Sequence, residues 1–310
     1  MNSMHHTKTS FKRFLAVLLC LGALLTLCAC GSSDSKMEQK QIFAMDTIMT
    51  LTAYGKHASE GLDAAASVIN SLHAQLDPDL PTSTTYAINH ANGANVVVSP
   101  QIAKMLSTAK TVYDQSDGAL DLSIYPVVRL WGFVDGRYYV PTDIELSAQL
   151  VRKGYDEMIL TSYPATGSYS VSFPPRVEIS FASVAKGCAA ENAITAMRQA
   201  GVESGIVSLG GNVQTLGMRP EGKPWTVAIQ DPNNTSGWVG TVQVGEMAVV
   251  TSGSYQRYFE LTETLITTSL TPRQPARPAT ACSRPPSSVR TARWPTRFRP
   301  RCSCWANPAR

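Results

Sequence analysis

Four short stretches of this 310-residue chain carry residue types suited to chemistry on a phosphate-bearing ligand. In Ser-Phe-Ala-Ser-Val-Ala-Lys-Gly (180–187), Lys186 stands beside Gly187 at what reads as a helix start, where an ammonium and a helix dipole can act on one anion. A solvated lysine is the alternative. In Ser-Asp-Gly-Ala-Leu-Asp (116–121), Gly118 lets the backbone turn sharply off a helix. Asp121 can then accept from a nucleotide N–H or hydroxyl, or simply cap a turn. Leu-Gly-Gly-Asn (209–212) and Thr-Ser-Gly (251–253) can each form a nest of backbone N–H groups for phosphate, or a tight turn and nothing more. No Ser-His-Asp arrangement is suggested, because all five histidines lie at or before His90 and two of them, His5 and His6, sit in the N-terminal segment. Of seven cysteines only Cys188 lies in the body of the chain, so neither a disulfide nor a cysteine-built metal site is expected there.

The elements that must position these groups alternate between strand and helix signals over residues 41–260. Thr47 to Tyr54 has the threonine-rich alternation of a half-buried strand, and Leu62, Ala65, Ile69, Leu72 and Leu76 follow at helical spacing. Ser99 can cap a helix that opens on Pro100, carries Ile102, Met105, Leu106, Ala109 and Val112 on one stripe, and ends before Gly118. A third helix is expected from about Ala185 to Ala200 with Gly201 as its stop, followed by the strand Ser-Gly-Ile-Val-Ser-Leu and a turn at Gly210, Gly211 and Asn212. Pro-Trp-Thr-Val-Ala-Ile-Gln-Asp-Pro and Met-Ala-Val-Val-Thr-Ser-Gly supply further strands. The class is α+β, mixed sheets with packed helices, and no internal repeat or long linker divides the body.

Both ends read differently from the body. Lys8, Lys12 and Arg13 precede an apolar run from Phe14 to Leu27 that is short for a bilayer span, the pattern of a secretory signal over residues 1–29. The junction Leu-Cys-Ala-Cys resembles a bacterial lipobox, which makes Cys30 the lipidated residue and 30–40 a polar tether. From Thr264 onward there is no Asp, Glu or Lys, and nine arginines are interleaved with Pro, Ser and Thr. Those nine exceed the whole net charge of +4, so the body is mildly acidic and offers no nucleic-acid surface.

Phe-Ala-Met-Asp-Thr-Ile-Met-Thr-Leu-Thr-Ala-Tyr, Ser-Asp-Gly-Ala-Leu-Asp-Leu-Ser-Ile-Tyr-Pro-Val-Val-Arg-Leu-Trp-Gly-Phe, Ala-Ser-Val-Ala-Lys-Gly-Cys-Ala-Ala-Glu-Asn-Ala-Ile, Ser-Leu-Gly-Gly-Asn-Val-Gln-Thr-Leu-Gly, Lys-Pro-Trp-Thr-Val-Ala-Ile-Gln-Asp-Pro and Val-Val-Thr-Ser-Gly-Ser-Tyr-Gln-Arg-Tyr-Phe-Glu occur in this order. In order and spacing they resemble the signature blocks of the ApbE family, the FAD:protein FMN transferases. The resemblance implies an ApbE-like fold and a Mg2+-dependent enzyme, lipid-anchored on the outer face of a bacterial cell membrane. Such an enzyme takes FAD as substrate, transfers its FMN half through a phosphoester to a threonine or serine of a flavoprotein subunit, and releases AMP. Met45 matches the flavin-contacting methionine, with Asp46 where a glycine is usual. A methionine adapts well to an aromatic ring system, although a plain core methionine would look the same. Ala119, Leu120 and Asp121 match the flavin-binding triplet. Ser183 stands where the family supplies a Mg2+ oxygen ligand. Ser180 stands where an aspartate usually contacts FAD, and a hydroxyl there hydrogen-bonds without carrying charge.

The tail departs from the family, which continues after Arg-Tyr-Phe-Glu to a His-x-Ile-Asp-Pro-x-Thr-Gly block that completes the metal site. The genetic code permits Leu265 to Pro272 to be regrouped in a displaced frame as Tyr-His-His-Ile-Ile-Asp-Pro. The same displacement turns Val289 to Trp305 into an amphipathic helix. Residues 261–310 are therefore expected to be an out-of-frame, disordered tail replacing a strand, a helix and metal ligands. Two other functions stay open: an FAD pyrophosphatase releasing free FMN, and a flavin-binding lipoprotein without transferase activity.

Overall fold

The computed structural model describes residues 36–232, 234–251, 258–261, 264–267 and 289–292. Strand β1 (Met37–Ala44) and strand β2 (Thr47–Tyr54) form an antiparallel hairpin, and β2 forms over the residues its alternation predicts. Met49, Leu51 and Ala53 turn into the core while Ile48 on the other face stays exposed. β1 corrects an expectation: its first four residues lie in the stretch read as tether. The strand has no apolar alternation to betray it, because it is a sheet edge whose Glu, Gln and Lys side chains suit solvent.

Helix α1 (Ala58–Leu76) buries the predicted stripe, and a short helix α2 (Thr84–His90) follows, capped by Ser83, whose side chain accepts from the Tyr86 N–H. Strand β3 (Val96–Val98) leads into α3 (Pro100–Gln115), where Ser99 accepts from the Ile102 N–H and Pro100 opens the helix as expected. Gly118, at φ 77°, closes that helix by donating its N–H to Tyr113 O at 2.8 Å. After a 3-10 turn at Leu122–Ile124 come α4 (Tyr125–Leu130), α5 (Asp143–Leu150), and strands β4 (Ile159–Tyr163) and β5 (Ser168–Ser172). β3, β5 and β4 make a three-stranded antiparallel sheet.

Helix α6 (Ala182–Gln199) packs beside α1 and starts three residues before the expected Ala185. Its N-cap residue, Phe181, is fully buried and caps nothing, while Ser180 just before it accepts from the Ala182 N–H. β6 (Ser204–Leu209), β7 (Asn212–Leu216) and β10 (Ala248–Thr251) complete the main sheet in the order β1-β2-β6-β7-β10, with Val289–Ala292 paired outside β10. α1 and α6 lie on one face of this sheet, around the largest core. The hairpin of β8 (Trp225–Asp231) and β9 (Asn234–Val244) adds a second cluster in which Trp225, Val227 and Ile229 meet Val249. A third, small core joins Val127, Trp131, Phe133 and Leu146 with Phe259. Within the stretch read as an out-of-frame tail, Thr264–Thr267 pairs with Tyr258–Leu261 and Val289–Ala292 with β10, and the rest of that stretch lies outside the described residues. Both are short runs containing β-branched residues, paired against open strand edges.

Candidate active site

Two corners of the molecule gather the residues singled out by sequence. The first lies at one end of the main sheet. Ala44 pairs with Thr47 across a two-residue turn at Met45 and Asp46, and Leu209 pairs with Asn212 across a two-residue turn at Gly210 and Gly211. All four central residues have positive φ, at 50°, 57°, 58° and 89° in chain order, as a type I′ hairpin turn requires. The pairing of Met49 with Leu209 sets the two turns side by side. A Cβ on Gly210 would lie 2.6 Å from Thr47 Oγ1 and 3.1 Å from Lys186 Nζ, so only glycine fits, and a hydroxyl and an ammonium converge on its backbone. The N–H of Thr251 donates to Gly211 O at 3.0 Å, bringing the end of β10 to the same place. Met45 is half-buried against the main core, and its N–H faces His73 Nδ1 at 3.4 Å. Lys186 therefore does meet a glycine turn that could hold phosphate, but from the second turn of α6 rather than its start.

The second corner is the triplet. Ala119 is exposed and Leu120 packs against the main core. Asp121 is buried and caps the 3-10 turn: Oδ1 accepts from the Ser123 N–H at 2.9 Å and the Ser123 hydroxyl at 2.6 Å. Lys153 Nζ lies 3.0 Å from Oδ2 at an angle that makes an ion pair rather than a hydrogen bond, so Oδ2 has no hydrogen-bond donor. Ser123 Oγ in turn accepts from the Gly154 N–H at 3.2 Å. Burial, with Asp121 as a secondary cause, pushes the Tyr155 hydroxyl well above its usual range, and that hydroxyl donates to Leu106 O at 3.0 Å. Asp121 thus caps the turn and pairs with Lys153.

The entry to α6 joins the corners. The Ser180 N–H donates to Leu122 O at 3.1 Å, directly after the triplet, and Ser180 Oγ accepts from the Ala182 N–H at 3.3 Å. Ser183 is exposed in the first turn of α6, and Lys186 follows one turn later. Asn89 and Lys153 had no sequence signal, and Thr47 was visible only as part of a signature block and strand, with no role assigned. Each gains its place from a partner far along the chain, 90 residues away for Asn89. Cys188 is half-buried, and burial followed by the charge of Glu191 pushes its thiol up, away from the thiolate a nucleophile needs.

Magnesium wants about six oxygen ligands in near-octahedral array. Among the described residues no group of three His, Cys, Asp or Glu converges, and Ser183 offers a single hydroxyl, so the described donors do not fit a magnesium site. Ser252, Gly253, Cys30 and residues 268–272 of the segment expected to replace the family's His-x-Ile-Asp-Pro block (265–272) lie outside the described residues. No helix among the described residues is long and apolar enough to cross a membrane.

Comparison with known proteins points one way. The profile of the ApbE family matches residues 45–282. The chain is 28% identical over 256 residues to the FAD:protein FMN transferase of Salmonella typhimurium, covering 78% of this chain and 73% of that one. It is 34% identical over 230 residues to an FAD:protein FMN transferase of Klebsiella pneumoniae, covering 74% and 70%. Among solved structures it is similar to the ApbE protein of Thermotoga maritima, with a TM-score of 0.71 and 22% identity over 77% of this chain and 78% of that one. It is also similar to the apo form of the Pseudomonas stutzeri flavinyl transferase ApbE, with a TM-score of 0.66 and 25% identity over 78% and 76%.

Proposed function

The chain belongs to the ApbE family, and from that premise we propose that it is an FAD:protein FMN transferase. The observation that carries the reading is the convergence of Lys186 Nζ and Thr47 Oγ1 on the Gly210 backbone, at the turn beside Met45. A pyrophosphate brings at least two negative charges. The ammonium and the glycine-rich turn supply the fixed positive potential such a group needs, and Met45 offers a polarisable surface to an adjacent flavin. In the reaction an acceptor threonine or serine oxygen attacks the phosphorus of the FMN half. The bond from that phosphorus to the bridging oxygen breaks, AMP leaves with the oxygen, and the hydroxyl proton is released.

Several finer points belong to the same proposal. Cys30 is a lipid-modified anchor holding the domain at the outer face of a bacterial membrane, close to membrane-borne acceptors. Palmitate label should enter the native chain and not Cys30→Ser, and equal labelling would count against the anchor. Magnesium dependence is expected from the resemblance, and no step above is routed through the ion because the described donors do not hold it. The tail from about Leu261 is the product of a displaced frame, so the chain as it stands is impaired. The family match continues to residue 282, beyond Leu261, which weighs against a frame displaced that early, and restoring the frame is the direct test.

The chain and its frame-restored form would be incubated with FAD and an acceptor flavoprotein subunit, with and without Mg2+. Covalent flavin fluorescence would be read in a denaturing gel and AMP measured in the supernatant. The restored form should label the acceptor and release AMP only with Mg2+, and the chain as it stands should label little. AMP and free FMN without labelling would make the protein a pyrophosphatase. FAD binding without AMP would make it a flavin carrier.

A further inference from the structure

We propose that Asn89 is a positioning residue for the nucleotide site, acting through the backbone of Ile179; the ligand part of this inference rests on the function proposed above. Asn89 stands in the last turn of α2, and its amide engages both backbone groups of Ile179. Oδ1 accepts from the Ile179 N–H at 2.8 Å, and Nδ2 donates to Ile179 O at 3.0 Å. A primary amide reading one residue's N–H and C=O together copies the pairing of a β-ladder, and it fixes that peptide in two directions at once. Ile179 is fully buried, and the next residue, Ser180, is tied by its N–H to Leu122 O. Asn89, the residue after the triplet and the entry to α6 are therefore fastened at one point. Ser180, Ser183 and Lys186 all follow within seven residues of that point.

The brace answers a need that local sequence leaves unmet. Phe181, at the N-cap of α6, has no capping side chain, and the bond from the Ala182 N–H to Ser180 Oγ depends on Ser180, whose own place follows from Ile179. Side chains that must face a ligand within a fraction of an ångström depend on such supporting bonds. Asn89 itself is placed by α2, whose start is secured by Ser83. Register thus passes from α2 through Asn89 and Ile179 to Lys186, and Asn89 acts without itself touching ligand.

The test compares Asn89→Asp, which keeps the acceptor and loses the donor, with Thr215→Val at the far end of the sheet. Thr215 is a fully buried brace of similar wealth: its Oγ1 contacts Gly245 O and Met247 O and accepts from the Met247 N–H. Amide hydrogen exchange is measured on the full chain of each variant, and FAD affinity by flavin fluorescence. Asn89→Asp should accelerate exchange at least tenfold at residues 179–184, leave β2 and β6 as protected as in the parent, and weaken FAD binding about tenfold. Thr215→Val should accelerate exchange around β7 and leave FAD affinity unchanged. Unchanged exchange at 179–184 in Asn89→Asp overturns the brace, even if the parent binds no FAD. A uniform rise throughout the domain, or equal loss of affinity in both variants, would reduce Asn89 to a general stability residue. A parent that binds no FAD, with the local exchange change intact, would instead overturn the proposed function and the ligand part of this inference.

Discussion

The two corners of the candidate site are built on opposite plans. At the triplet corner the one carboxylate, Asp121, is buried and already engaged by Ser123 and Lys153 from its own chain. At the sheet-end corner Thr47 Oγ1 and Lys186 Nζ stand 2.6 and 3.1 Å from where a side chain on Gly210 would begin. One corner spends its polar groups on holding itself together. The other holds its geometry through two backbone turns that bring Thr47 and Lys186 together. A resemblance between sequences cannot separate these plans, because it matches residues and not what they bond.

The sharpest way to break this contrast is to remove the carboxylate. Asp121→Ala should lower unfolding free energy by about 2–3 kcal/mol, combining a lost cap with a buried partner taken from Lys153. Urea denaturation followed by circular dichroism measures it. A variant as stable as its parent but with weakened FAD binding would move Asp121 from scaffold to ligand contact and erase the difference between the corners.

The reverse change tests the other corner. Lys186→Met keeps the length of the apolar stem and removes the charge, so FAD affinity should fall about tenfold, roughly 1.4 kcal/mol, with little change in stability. Titration at low and moderate salt should show the parent losing affinity as salt rises and the variant losing less. Equal salt dependence in the two proteins would mean that Lys186 meets no phosphate.

How much of this was legible in the sequence depends on where each feature gets its stability. α3 was readable because Ser99, Pro100 and the apolar stripe carry their signal locally, and β2 and β6 because half-burial writes itself into alternation. α6 starts three residues before the expected place because its N-cap position is a buried phenylalanine, which carries no capping signal, and β1 was hidden by the polarity proper to an edge. At the site, Met45, Lys186 and the double glycine were visible as types. Thr47 was visible only as a member of a block and a strand, and Asn89 not at all, since their roles exist only once β2 lies beside β6 and α2 beside the entry to α6.

The smallest expected effect sharpens the contrast at its most strained point. The β1–β2 turn holds Met45 and Asp46 in the left-handed region, where a side chain costs energy that glycine does not pay, although aspartate tolerates the conformation better than most residues. The neighbouring turn meets the same demand with two glycines. Asp46→Gly should therefore stabilise the folded protein by about 0.5 kcal/mol, net of the greater freedom glycine has when unfolded. Because the turn's register is held by the Ala44 to Thr47 pair and the ladder behind it, Met45 and Thr47 should keep their places and FAD affinity should stay within about twofold. Differential scanning calorimetry and a flavin titration read the two quantities on the same preparation. A gain in melting temperature with a clear loss of affinity would show that strain in this turn is held for ligand binding, and that the sheet-end corner, like the other, invests its own stability in the site.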